Sequence, residues 1–215
     1  MRNAIIDFIL RGDGRLLYDT LTAIYASYPP QVSHSLMNLL GTHDTERILT
    51  VLADARTDMM SNAELAVFRL SPQQRETAKR RLMLASTIQY TIYGTPSLYY
   101  GDEAGMEGGR DPFCRMPFPW GREDAELTAH YRRLGQIRRE PVYSWGDFRV
   151  LEHGDGVIAF ERTRAGERIV TAANCSDTPH LFEGMTQSYK DLLTEDEYSG
   201  NVTLEPMRAA VLKEI

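Results

Sequence analysis

The run Leu36-Met37-Asn38-Leu39-Leu40 is apolar except at Asn38, and it stops at Gly41 in favour of the polar cluster Thr42-His43-Asp44-Thr45. A short apolar stretch bounded by a turn residue reads as a buried strand. This one, over residues 36–40, hands a histidine and a carboxylate to the loop beyond it. The pattern recurs further on: Ser97-Leu98-Tyr99-Tyr100 reads as a second strand, over 97–100, closed by Gly101-Asp102-Glu103. Between the two lies the clearest helix in the chain, over residues 72–93. Ser71 is a good N-cap, Pro72 suits the first helical position, Gln74 completes a capping box and Gly94 is a good stop. Strand, helix, strand and polar loop form a β-α-β-loop pattern, in which chemistry belongs at the carboxyl ends of the strands.

Around this unit, residues 3–11 and 15–28 read as helical, 45–53 as a further helix, and 54–70 as a loop or insertion without a clean period. Residues 124–139 form another amphipathic helix, with Leu127, Tyr131, Leu134 and Ile137 on one face. Composition shifts at Glu140-Pro141. Beyond it the pattern is short strands and tight turns: 148–150 runs into the hairpin signal Gly154-Asp155-Gly156, followed by 157–162. Further strands are expected over 168–173 and near 188–192, 202–205 and 209–214. The predicted organisation is therefore α/β plus all-β, with residues 1–140 as one domain and 141–215 as a small antiparallel β-sandwich.

The net charge of −6 offers no basic field to meet phosphates, which argues against a nucleic-acid partner. The basic cluster Lys79-Arg80-Arg81 falls inside a helical pattern and reads as a solvated face. No apolar run approaches the roughly 18 residues of a membrane span, so no membrane partner is expected. Cys114 and Cys175 sit far apart without partner spacing, which suits reduced thiols and no metal. With no signal-like N-terminus, a cytoplasmic location is the expectation, export being left open.

Three short blocks occur in order: Gly41-Thr42-His43-Asp44-Thr45, Tyr99-Tyr100-Gly101-Asp102-Glu103, and Gly108-Gly109-Arg110-Asp111-Pro112 running on to Arg115. Together they resemble the α-amylase superfamily of glycoside hydrolases, nearest to the neopullulanase, cyclomaltodextrinase and maltogenic amylase group. The first block is similar to the end of the family's seventh barrel strand and the second to the end of its eighth. The third is similar to the loop that holds a sugar ring beyond the cleavage point. The fold implied is the C-terminal portion of a TIM (β/α)8 barrel followed by a small antiparallel β-sandwich.

The same resemblance implies an α-glucan partner, oligosaccharide or polysaccharide, and retaining hydrolysis of α-1,4 and, in some members, α-1,6 glucosidic bonds. Asp44 would be the third catalytic carboxylate, which distorts and stabilises the ring at the cleavage site, and His43 the substrate-binding histidine. Asp111 and Arg115, four apart, fit either a salt bridge within the loop or hydrogen bonds to sugar hydroxyls; the resemblance favours sugar contact. Phe118 and Trp120 could stack on a sugar face but more commonly anchor a loop. Asp102 and Glu103 are expected to be architectural. The family's nucleophile Asp and acid Glu lie upstream of the His-Asp block, and nothing in residues 1–42 matches either. The chain is thus expected to be a piece of a longer enzyme, inactive alone and self-associating through incomplete strands. No cofactor is implied; calcium is allowed in a longer parent, with no ligand cluster here. An oligo-α-glucosidase of the same superfamily and a non-catalytic carbohydrate-binding relative are the alternatives.

Overall fold

A computed structural model describes all residues, 1–215. Its first part is helical around a short parallel pair of strands. The helices α1 (Arg2–Arg11) and α2 (Gly14–Ser27) meet at Gly12, which takes the left-handed φ of 73° that turns the chain. Asp13 caps α2 by accepting from the Leu16 amide. After α3 (Pro30–Ser33) comes β1 (Met37–Leu39), then α4 (Ile48–Leu52), α5 (Asn62–Val67), α6 (Pro72–Thr91) and β2 (Thr95–Ser97). The helices α7 (Ala125–Ile137) and α8 (Val142–Trp145) follow the long loop after β2. β1 and β2 pair in parallel, Met37 opposite Thr95 and Leu39 opposite Ser97, and α6 is their crossover. Buried Gln89 on α6 locks the pair by donating to the Asn38 and Ser97 carbonyls at 2.8 and 3.1 Å.

The expected capping box forms at the start of α6, Ser71 and Gln74 serving each other's backbone amides. Three expectations need correction. The second strand lies at Thr95–Ser97 and not 97–100, because Tyr99 and Tyr100 leave the sheet to set their rings against the Arg47 guanidinium, 4.4 and 4.6 Å away. The span 54–70 contains α5, started by a capping box of Ser61 and Glu64. Gly94 is not the stop of α6, which ends at Thr91 with Ile92 already extended. Gly94 instead permits a close pass, since a Cβ there would meet the Leu36 carbonyl oxygen at 2.3 Å.

The second part is all antiparallel: β3 (Asp147–Gly154), β4 (Val157–Arg164), β5 (Glu167–Asn174), β6 (His180–Phe182), β7 (Ser188–Asp191), β8 (Glu197–Ser199), β9 (Val202–Leu204) and β10 (Arg208–Glu214). Six strands make one sheet in the order β3-β4-β5-β10-β7-β8, and β6-β9 form a small second layer. The large sheet is buried on both faces. Val157, Ala159, Val170, Ala172, Ala210 and Leu212 pack under β6-β9, with Phe182 and Val202. On the opposite face, Ile158, Phe160, Ala173 and Cys175 join the cluster built by α1, α2, α4 and α6, while Ile169 and Val211 pack against α7 and α8. The apolar core therefore runs across residue 140. Backbone contact is equally close: a Cβ on Gly14 would lie 2.2 Å from the Gly154 carbonyl oxygen.

Candidate functional site

The polar loops after β1 and β2 converge. Leaving β1, the chain makes a tight turn in which the Asp44 amide donates to Thr42 Oγ1 and the Thr42 amide to Thr45 Oγ1, both at 3.2 Å. That turn projects His43 and Asp44 side by side into solvent, with His43 Nε2 3.2 Å from Asp44 Oδ2 and the side chains 65% and 70% exposed. The long loop after β2 brings Arg115 onto them. Its Nη2 lies 3.2 Å from Asp44 Oδ1, and its Nε donates to the His43 carbonyl at 2.9 Å and lies 2.8 Å from Asp111 Oδ1. Buried Cys114 donates its thiol to the same His43 carbonyl at 3.2 Å. All of His43, Asp44, Asp111 and Arg115 are thus brought together on one open surface.

The salt bridge within the third block forms, and it is part of the same cluster. Exposed ion pairs of this kind are worth about 0–1 kcal/mol, so a polyol can compete for their oxygens and nitrogens. The hydrogen bonds of Arg115 within the protein come from Nε and Nη2, which leaves Nη1 to donate outward. Trp120 is 81% exposed, its ring 4.6 Å from that of Phe118. A groove of about 430 Å³ between α5 and the long loop, lined by Phe68, Phe113 and Phe118, adjoins this region. A larger one of about 530 Å³, lined by His130, Asp191 and Arg208, lies between α6, α7 and the large sheet and includes none of the four clustered residues.

Beneath the exposed cluster sits a buried one that the sequence did not reveal. Arg47 is wholly buried; its Nη1 lies 3.4 Å from Asp102 Oδ1 and donates to the Tyr100 carbonyl, and its amide donates to the Gly108 carbonyl at 3.0 Å. In the sequence, Glu46-Arg47-Ile48 looks like the polar start of a helix. Only its position three residues after Asp44 hinted otherwise. Burial pushes the Asp102 carboxyl up to about 7, against the pull of Arg47. That value would suit a general acid, but Asp102 is 2% exposed and faces Gly41 so closely that a Cβ there would sit 2.3 Å from Oδ2. It is sealed from any ligand. Glu103 accepts from the Gly101 amide at 2.8 Å, a turn contact that fits an architectural residue.

No family model matches the chain. It is 42% identical over 174 residues to an amylopullulanase of Thermoanaerobacter thermohydrosulfuricus, a match spanning 75% of this chain and 11% of that enzyme. It is 32% identical over 221 residues to a cyclomaltodextrinase of Thermoanaerobacter pseudethanolicus, spanning 99% of this chain and 34% of that enzyme. The chain therefore covers between about a tenth and about a third of the length of these relatives. Among solved structures, the α-amylase of Geobacillus thermoleovorans complexed with acarbose superposes with a TM-score of 0.80 at 26% identity, over 99% of this chain and 46% of that one. Blocks, barrel-type strand pair, sandwich and relatives agree: the chain belongs to the α-amylase superfamily of glycoside hydrolases, as the C-terminal portion of the barrel with the β-sandwich that follows it.

Proposed function

We propose that this chain supplies a glucan-contacting side of a retaining α-glucan hydrolase acting on α-1,4, and in part α-1,6, glucosidic bonds of maltodextrins, cyclodextrins or starch. The observation that carries this reading is the convergence of His43, Asp44, Asp111 and Arg115 at the ends of two parallel strands. Sugar hydroxyls both donate and accept. The carboxylates of Asp44 and Asp111 accept from them, and the His43 ring and Arg115 Nη1 donate to them. In glycoside hydrolysis the ring passes through an oxocarbenium-like state, and hydrogen bonds to its hydroxyls strengthen there. Asp44 takes that supporting role, with His43 fixing a neighbouring hydroxyl.

Bond cleavage also needs a nucleophile or base and a protonated acid. In this chain the raised carboxyl of Asp102 is sealed, and Asp44 and Asp111 are both held by Arg115. The chain alone accordingly binds without cleaving. Its strand pair also carries exposed apolar side chains on and beside it, Met37 at 66% and Leu98 at 39%, and through these the chain self-associates.

Calorimetric titration with maltotriose and with acarbose tests this. Saturable binding is expected, lost in the His43→Ala, Asp44→Ala double variant, with no release of glucose or maltose from maltotriose, pullulan or starch. Absent binding, binding unchanged in the double variant, or turnover above that variant's background would each contradict it.

A further inference from the structure

Arg47 belongs to the same loop as His43 and Asp44, yet its amide and its guanidinium both reach the other loop, while its carbonyl starts α4 by accepting from the Val51 amide at 3.1 Å. Its amide holds the Gly108 carbonyl at 3.0 Å, on the stretch that runs on to Asp111 and Arg115. Its Nη1 holds the Tyr100 carbonyl and Asp102, just beyond β2, and the Tyr99 and Tyr100 rings, 4.8 Å from each other, lie against its guanidinium at 4.4 and 4.6 Å. Asp102 in turn rests against Gly41, the first residue beyond Leu40, where there is no room for a Cβ. One residue thus fixes several points of the second loop, its side chain at Tyr100 and Asp102 and its amide at Gly108, and through Asp102 it reaches the start of the first.

As a pure stabiliser this residue is poorly arranged. Its Nε and Nη2 are buried without a hydrogen-bond partner in the protein. A buried guanidinium whose donors are partly unmet is disfavoured relative to an apolar side chain of similar volume. An apolar side chain would fill the space but could not reach the Tyr100 carbonyl and Asp102 together. Nor could a lysine, whose ammonium is a single point without the planar fork.

We infer that Arg47 is a positioning residue: through Asp102 and the Tyr99-Tyr100 turn it sets the loop bearing His43 and Asp44 against the loop bearing Asp111 and Arg115. The inference rests on reading those four residues as a glucan-contacting site, and it deepens that reading by naming what holds the two halves in register. A displacement of about 1 Å between groups that must act together lowers function by an order of magnitude or more.

The test uses the full chain and three variants, Arg47→Lys, Arg47→Met and Gly41→Ala; the last forces Asp102 aside from the opposite direction. Each is measured by thermal melting, by NMR of the His43 ring signals, and by maltotriose titration well below the melting temperature. Positioning predicts cooperative melting with displaced His43 signals and affinity reduced about tenfold or more. If folded variants lose only melting temperature, with His43 signals and affinity as in the unsubstituted chain, the inference is overturned. Should Arg47→Met not fold, Arg47→Lys and Gly41→Ala carry the same readouts; failure of all three to fold assigns Arg47 to the core and overturns it too. If the unsubstituted chain does not bind maltotriose, the glucan reading fails, while the His43 signals still decide whether Arg47 sets that loop.

Discussion

Two carboxylates, one on each of the converging loops, do opposite things, and burial decides which. Asp44 is exposed and shared between His43 and Arg115; Asp102 is sealed against Gly41 and Arg47. The Asp102 shift has a definite sign. Its folded pKa, about 7, lies above the value near 4 that a carboxyl has in an unfolded chain, so between those values the folded state holds a proton the unfolded state has lost. Its contribution to stability therefore falls as pH rises through that window. Urea denaturation of the Asp102→Asn variant should show it gaining on the unsubstituted chain, by a few kcal/mol at most, between pH 4 and pH 7.5. A stability difference independent of pH would mean that Arg47 keeps Asp102 ionised throughout. The residues legible in the sequence were those whose signal is local: His43 and Asp44 are adjacent, and Asp111 and Arg115 stand four residues apart in one loop. Arg47 was not, because its meaning depends on Tyr99, Tyr100 and Asp102, distant in sequence.

Among elements, the same distinction holds. The helix α6 was readable because its capping box and length are written within it, and the hairpin at Gly154-Asp155-Gly156 because its turn is. The short strands β6 and β8 are defined by their partners, so no local pattern marks them, and β2 was legible as a strand but with its bounds two to three residues late, since its partner sets them. α5 had a readable Ser61-Asn62-Ala63-Glu64 start but too few residues for a period. The packing of α6 on α7 carries its own titrating group. His130 Nε2 meets the Met83 carbonyl at 3.1 Å and Ser86 Oγ at 3.0 Å, and burial lowers the ring's pKa to about 4. A base depressed in the folded state is protonated first in the unfolded one, so its contribution is lost as pH falls from about 6.5 to 4. That is opposite in sign to Asp102 over the same range, and the two partly cancel in the whole chain. His130→Gln should remove the acid-side loss, about 3 kcal/mol by pH 4. Parallel denaturation curves for both proteins across pH 4–7 would refute it.

At the scale of the whole molecule, the large sheet is covered twice, by β6-β9 on one face and by helices on the other, which explains why β4 and β5 are buried almost without alternation. The parallel pair β1-β2 has α6 against it but no further strand beside it: it stands alone as two strands, with Met37 exposed on it and Leu98 just past its end. Light scattering should show a mass that rises with protein concentration, and Met37→Lys should lower it; a strict monomer at all concentrations would exclude association through this pair. What joins fold to function is the claim that two strand ends present one glucan-contacting surface. Titrating isotope-labelled chain with maltotriose and following its amide signals locates that surface directly. Shifts should concentrate in residues 41–47 and 108–115 and vanish in the His43→Ala, Asp44→Ala variant. Shifts centred instead on the groove lined by His130, Asp191 and Arg208, or spread evenly over the chain, would show that the converged loops are not where this protein meets a glucan.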